Sequence, residues 1–334
     1  MTGNSVRAFF VSLFGLVPLV GVAPLAAAQV PLQPEVESFI EEMVQKHRFR
    51  RGDLRQLFSQ VQPRPAVIRA MTAPRTARPW HEFRLSYINA PRIDGGVRFW
   101  QQHAGIVARA TREYGVPEEV IVATIGIETL YGRQTGTFKV LDALATLAFQ
   151  YPPRADYFRG ELEEYLLLAR EAGFDPLAMR GSFAGAIGIP QFLPSSYRKF
   201  AVDFDGDGKR DLVGTPADAI GSVANYYKTF GWRAGEGTVV EAEANAGAVE
   251  AAMSGDIKPQ TRIGELKRRG VVPLAPVSDE AEAALFVVEA EDGPRYWLGL
   301  NNFYVVTRYN RSVNYALAVL ELARELRAAM RLQR

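Results

Sequence analysis

Apolar residues recur at helical spacing in several blocks of this chain. In 34–47, Val36, Phe39, Ile40, Met43 and Val44 follow the pattern and predict a helix. Pro63, Pro65, Pro74 and Pro79 predict an irregular, extended passage over 61–79. Asp94 can cap a helix running to about Tyr114, with Val97, Trp100, Ala104, Val107 and Ala108 on one face and Gly115 as its end. Pro117 opens the next helix, with Glu118 and Glu119 in the first turn, where the helix dipole favours them. That helix runs to about Leu130 and stops at Gly132. Helical patterns return at 139–149, 155–172 and 216–230, and the segment 181–197 is rich in Gly, Ala and Pro.

The character changes after Gly231. Thr238–Ala242, Ala284–Ala290 and Arg295–Leu300 read as strands, the last two joined by a turn at Asp292-Gly293. The chain then passes Asn301–Asn310 and ends in a helix from about Ser312 to Met330, with Leu317, Leu320, Ala323 and Leu326 among its apolar positions. The layout is α+β, mainly α, with a small β insertion and no internal repeat. At the N-terminus, Ala8 to Ala28 carries no charge, Arg7 precedes it and Ala26-Ala27-Ala28 closes it. This is the pattern of a cleaved secretory signal, with cleavage expected after Ala28. Gly15, Pro18, Gly21 and Pro24 interrupt the stretch and set it apart from a transmembrane anchor.

Composition narrows the chemistry. Lys+Arg total 39 and Asp+Glu 37, a net charge of +2, which argues against a dedicated nucleic-acid binder. The absence of cysteine removes disulfides, thiol nucleophiles, thiolate metal sites and a lipid-modified N-terminal Cys. His47, His81 and His103, the only histidines, are too far apart in sequence to suggest a zinc site. Carboxylates, hydroxyls and amides must carry any reaction. With 334 residues the chain can hold one large domain or two to three small ones.

One carboxylate stands out. Val120 to Ile127 has no charge on any face, the mark of a buried helix, and Glu128 follows in its last turn. Burial and the negative end of the helix both disfavour the ionised carboxyl. A Glu protonated near neutral pH can serve as a general acid. An exposed helix end, or a pair with Arg133, is the structural alternative. Among other acids, Asp142 reads as a local cap or ion-pair partner, and Glu161, Glu163 and Glu164 read as a solvated helix face.

Ile125-Gly126-Ile127-Glu128-Thr129-Leu130-Tyr131-Gly132-Arg133 resembles the catalytic helix of the B-type membrane-bound lytic murein transglycosylases. Val140–Ala148, Gly181–Ala186, Pro190–Tyr197, Asp218–Tyr226 and Asn302–Ser312 are similar to the same family, in its order and spacing. The resemblance implies non-hydrolytic cleavage of the MurNAc–GlcNAc β-1,4 bond of peptidoglycan, leaving a 1,6-anhydro-MurNAc end. It implies a lysozyme-like catalytic core with an added helical domain and a small β domain. On this chain those fall at 29–100 (joined by 315–334) for the helical domain, 101–234 for the core, 235–300 for the β domain and 301–314 for a return to the core. It implies Glu128 as acid and then base, with Ser182 hydrogen-bonding its carboxyl. It further implies Gln191, Tyr226, Tyr309, Asn310 and Tyr315 as substrate contacts, with small residues around Ser182 letting a sugar approach the backbone. Arg154 resembles the second of a basic pair in some relatives, whose first position is Pro153 here. No organic cofactor is implied. The expected enzyme is a periplasmic monomer acting on glycan strands, with cell-wall synthesis proteins as candidate partners. The alternatives are a hydrolytic muramidase and a non-catalytic peptidoglycan-binding protein.

Asp203, Asp205 and Asp207 occupy positions 1, 3 and 5 of an EF-hand-like calcium loop, with Gly208 at position 6 and the Lys209 carbonyl at position 7. Position 12 is Gly214 rather than Glu. By resemblance to calcium-binding relatives, Asp218 supplies the missing acid, and the ion would be structural.

Overall fold

The computed structural model describes residues 32–72, 78–252 and 256–333. The apolar stretch from Ala8 to Ala28 lies outside them. Among the described residues, no helix is long and apolar enough to cross a membrane.

Helix α1 (Pro34–His47) buries Phe39, Ile40 and Met43, as its pattern predicts, and α2 (Arg51–Phe58) follows. The passage expected to be extended instead contains α3 (Pro65–Thr72). Proline is tolerated at a first helical position, where no intrahelical bond needs its N–H, so Pro65 starts this helix rather than preventing it. After α4 (Trp80–Tyr87), the single helix expected from Asp94 to Tyr114 is two: α5 (Ala90–Gln102) and α6 (Ala104–Tyr114). The cap is Asn89, whose side chain accepts the Arg92 N–H at 3.2 Å, and Asp94 lies exposed inside α5. His103 breaks the run with φ −116° and ψ 21°, a break that periodicity alone does not register.

Helix α7 (Glu118–Thr129) is the axis of the molecule. Every residue from Val120 to Ile127 is buried, and α5, α6, α11 (Pro216–Thr229) and α15 (Val313–Leu332) pack around it. Helices α8 (Val140–Gln150) and α9 (Ala155–Ala172) pack on each other, and α10 (Pro194–Phe200) packs on α9. A short antiparallel pair, β1 (Phe138–Lys139) with β2 (Arg180–Gly181), ties the start of α8 to the Gly-rich segment.

A five-stranded antiparallel sheet has the order β4-β6-β7-β3-β5. Its strands are β3 (Val239–Ala244), β4 (Thr261–Arg262), β5 (Val271–Pro273), β6 (Glu282–Ala290) and β7 (Gly293–Gly299). The sequence reading located β3, β6 and β7 but not the two short edge strands. Ala290 pairs with Gly293, so the hairpin turn is Glu291-Asp292, one residue earlier than expected. Helices α12 (Ala246–Ala252) and α13 (Ile263–Arg268) accompany the sheet, and Ala242, Ile263, Leu266, Val271, Leu285 and Leu298 form a core there. Strand alternation turns Phe286 and Val288 to the other face, where they join the main core. Phe286 stacks on Phe303 of α14 (Asn301–Tyr309), centroids 4.7 Å apart. This helix occupies the segment expected only to return the chain. It delivers Tyr309 and Asn310 at its end, and Ser312 then caps α15, its side chain accepting the Tyr315 N–H at 3.2 Å.

Candidate active site

Glu128 sits in the last turn of α7, half-buried, where the helix leaves the core. Its carboxyl accepts one hydrogen bond, from the Tyr315 hydroxyl at 2.5 Å. Burial pushes its pKa up to about 7, against which the Tyr315 hydrogen bond works by favouring the ionised form. Tyr315 is itself buried, so burial and the nearby Glu128 carboxylate hold its own pKa well above the usual phenol range. It therefore stays a donor at any pH at which Glu128 titrates. Tyr309 lies parallel to it, ring centroids 6.4 Å apart, and donates to the Pro190 carbonyl at 2.6 Å.

The remaining expected contacts are placed with differing capacity to meet a ligand. Tyr226 is buried among Phe192, Phe200, Phe230 and Tyr309, and its hydroxyl donates to the Arg308 carbonyl at 2.6 Å. It shapes the wall behind Tyr309, with no hydroxyl proton to spare. Asn310 is exposed, and among the described residues its side-chain amide has no partner.

Ser182 and Gln191 both sit in tightly hydrogen-bonded turns. Ser182 makes no hydrogen bond to Glu128. Its Oγ accepts the N–H groups of Ala184 (3.2 Å) and Ala186 (3.0 Å), closing a tight turn and leaving only its O–H proton to donate. Gln191, at φ 52°, spends its side-chain N–H groups on the carbonyls of Thr135 (3.0 Å) and Gly188 (2.8 Å), leaving Oε1 as its free group. Two of the glycines here are required by protein packing. A Cβ at Gly185 would meet Leu144 at 2.4 Å, and one at Gly188 would meet the Leu212 carbonyl oxygen at 2.3 Å. Thr129 donates to the Ile189 carbonyl at 2.8 Å and accepts the Gly132 N–H, tying the segment to the end of α7.

The acidic loop brings carboxylate oxygens of Asp203, Asp205 and Asp218 within 4.8 Å of one another. Asp218, at the start of α11, is buried and also accepts the N–H groups of Phe204 and Asp211, both at 2.7 Å. Asp207 is outside this cluster. Its Oδ1 accepts the Lys209 N–H at 2.8 Å.

The family model described as "Transglycosylase SLT domain" matches residues 31–324. This chain belongs to that family. Among curated proteins, the transglycosylase named membrane-bound lytic murein transglycosylase B of Escherichia coli (strain K12) is 44% identical over 306 residues, covering 89% of this chain and 83% of its own. Among solved structures, the soluble lytic transglycosylase SltB1 from Pseudomonas aeruginosa is 48% identical, with TM-score 0.83 over 89% of this chain and 99% of that one. The Escherichia coli lytic transglycosylase Slt35, solved in complex with calcium, is 43% identical, with TM-score 0.80 over 89% and 94%. The lysozyme-like fold of these transglycosylases is thus the fold of this chain.

The other acids of this transglycosylase are occupied. Asp142 is buried and paired with Arg64, an ion-pair partner as expected. Glu161 is a correction: it is buried, not solvated, and accepts the Ser195 N–H (3.0 Å) and Oγ–H (2.6 Å) at the start of α10. Glu163 and Glu164, read with it as a solvated face, are themselves half-buried and paired with His47 and Arg198, and only the packing of α10 on α9 reveals the burial of Glu161. Sequence reasoning placed Tyr315 in the site but missed its pairing with Glu128, and it missed Tyr131 and Arg92 behind the helix altogether.

Proposed function

We propose that this chain cleaves the MurNAc–GlcNAc β-1,4 bond of peptidoglycan without water, with Glu128 acting first as general acid and then as general base. The observation that carries the reading is the Glu128 carboxyl, held near pKa 7 with a phenol donor on it. No other carboxylate contributes to that shift, which burial causes and the Tyr315 hydrogen bond opposes. A group balanced near neutral pH can both give and take a proton at little cost. In the first step Glu128 protonates the glycosidic oxygen as the C1–O bond breaks, and the substrate's N-acetyl group stabilises C1. The Tyr315 hydroxyl stabilises the carboxylate so formed. In the second step the sugar's C6 hydroxyl attacks C1 and Glu128 takes its proton. The product is an internal ether, and Glu128 returns to its starting state. Tyr309 offers a ring to sugar C–H faces, Asn310 an amide, Gln191 an acceptor and Ser182 a donor.

Mass spectrometry of glycan ends released from purified peptidoglycan tests this reading. We expect ends lighter by one water and resistant to borohydride reduction. Reducible ends would make the protein a hydrolase, and no release would make it a binding protein. With the cell wall as the proposed substrate, the uncharged N-terminal stretch supports a periplasmic enzyme delivered by a signal and acting on glycan strands.

The acidic loop fits calcium, since oxygen donors at alternate positions suit a hard cation. Asp203, Asp205 and Asp218 would hold it, with the Lys209 carbonyl, and Asp207 would have to turn from the Lys209 N–H to join them. The ion would tie the loop to α11 and take no part in the chemistry. The calcium complex of Slt35 supports this reading. Calcium at a hundredfold excess over its Kd should stabilise the fold by about 2.7 kcal/mol. Thermal melts with calcium and with chelator should therefore differ for the wild type and coincide for Asp205→Ala. A wild-type melt indifferent to calcium refutes the site.

A further inference from the structure

Directly after Glu128 the backbone enters an unusual conformation. Leu130 (φ 51°) and Tyr131 (φ 62°) are both left-handed, followed by Gly132 (φ 83°). Two successive non-glycine residues in this region are strained, and such strain persists only where the surroundings hold it. Three glycines accept the Tyr131 side chain. A Cβ would come within 2.5 Å of its hydroxyl at Gly126 and 2.3 Å at Gly96, and within 3.2 Å of its ring at Gly95. The hydroxyl donates to the Arg92 carbonyl at 2.9 Å. Arg92 in turn sends its side chain to the same helix end: Nε donates to the Gly126 carbonyl at 3.0 Å, and Nη1 to the Ser86 carbonyl at 2.9 Å. The loop is closed, because the Leu130 and Tyr131 N–H groups bond back to the carbonyls of Gly126 and Ile125.

We propose that Tyr131 and Arg92 form a brace that positions Glu128 by locking the strained last turn of α7 against α5. Neither residue acts on the Glu128 carboxyl directly: burial and Tyr315 account for its environment. The brace is a positioning device. It fixes where the carboxyl stands relative to Tyr315 and to a bound glycosidic oxygen. The proposal rests on the role assigned to Glu128 above. A cavity beside an apolar helix end would ordinarily be filled by a core side chain without a polar tip. Here the filler is a phenol whose hydroxyl is buried against two glycines, and the cost of removing that hydroxyl from water is offset only by the Arg92 carbonyl.

The test compares wild type, Tyr131→Phe and Arg92→Lys with Leu285→Ala, which weakens the separate core of the sheet. Turnover, KM, melting temperature and the pH dependence of turnover are measured for each on the same peptidoglycan. Misplacing a catalytic group by about 1 Å can cost on the order of 10²-fold in rate, and a smaller displacement less. We expect Tyr131→Phe and Arg92→Lys to lose about tenfold in kcat with KM little changed. The pH above which activity falls should move down in both, as a loosened helix end admits water to Glu128. Leu285→Ala should melt lower with wild-type kcat and pH profile. Wild-type kcat and pH profile in Tyr131→Phe and Arg92→Lys overturn the brace. So does a loss of kcat in Leu285→Ala matched to its lowered melting temperature, since the effect would then be one of stability. An inactive wild type overturns the function instead. The brace is then judged by NMR titration of the Glu128 carboxyl, which must shift in Tyr131→Phe or Arg92→Lys for the proposal to stand.

Discussion

Glu128→Gln should abolish turnover and, at alkaline pH, make the protein more stable than the wild type. The first half follows from its proposed role. Glutamine can accept the Tyr315 hydrogen bond but can neither donate a proton to a leaving oxygen nor take one from a C6 hydroxyl. Loss of general acid–base catalysis costs on the order of 10²–10⁴-fold, and here both steps use the one group. The second half follows from linkage. The folded protein holds the Glu128 proton up to about pH 7, whereas the ordinary carboxyl loses it near 4.5. Below that ordinary value both states are protonated and the group is neutral to stability. As pH rises towards 7 the unfolded chain ionises freely while the folded one resists, so wild-type stability falls. Above pH 7 the accumulated cost is about 3 kcal/mol. Glutamine carries no such cost. Denaturation at pH 4 should find the two proteins alike, and at pH 8 should find the variant more stable. A stability difference independent of pH would mean that Glu128 is not buried against its charge.

The same arithmetic explains why α7 is built as it is. A helix apolar on all sides is needed to exclude water from one carboxyl, and that exclusion weakens the fold at the pH where the enzyme would work. The fold tolerates this because α5, α6, α11 and α15 pack around the helix and Val120–Ile127 and Thr129 are all buried. Activity is expected to fall above the Glu128 pKa, since a general acid must begin protonated.

Much of this was legible locally. An uncharged octet followed by Glu gave α7 and its carboxylate, and Gly115 and Pro117 gave its start. What was hidden is long-range. Tyr315 lies 187 residues from Glu128, and no spacing rule connects them. Pro65 read as a breaker because proline opens helices as well as ending them. Asp94 read as a cap because any acid near a helix start does, whereas Asn89 had the geometry. The segment 301–309 read as a connector because its core face is completed by Phe286 on a distant strand. The acidic loop was legible in its spacing, but Asp207 shows that spacing sets which oxygens are near, not where they point.

Asp142→Ala should cost about 3 kcal/mol of stability and leave the chemistry unchanged. Asp142 is 1% exposed. Its Oδ2 accepts the Arg64 Nε (3.0 Å) and Nη2 (2.8 Å) donors, and its Oδ1 accepts the Gln62 N–H at 3.1 Å. These bonds fasten the link between α2 and α3 to α8, assisted by Thr146, which accepts the Arg64 N–H. Breaking a buried pair from one side costs 3–5 kcal/mol because the partner is left without compensation. The lower end applies, since the Arg64 side chain is 39% exposed and can reach water. Adding Arg64→Ala to Asp142→Ala should cost little more, the pair being already lost. Turnover measured below the lowered melting temperature should match the wild type and give the same reduction-resistant anhydro ends. This separates two accounts of the reaction. In a hydrolase a second carboxylate directs water, and Asp142 is the buried acid best placed in the sequence to be mistaken for it. If a folded Asp142→Ala protein lost activity as Glu128→Gln does, the ion pair would be incidental. Water, rather than the C6 hydroxyl, would then be the nucleophile to look for.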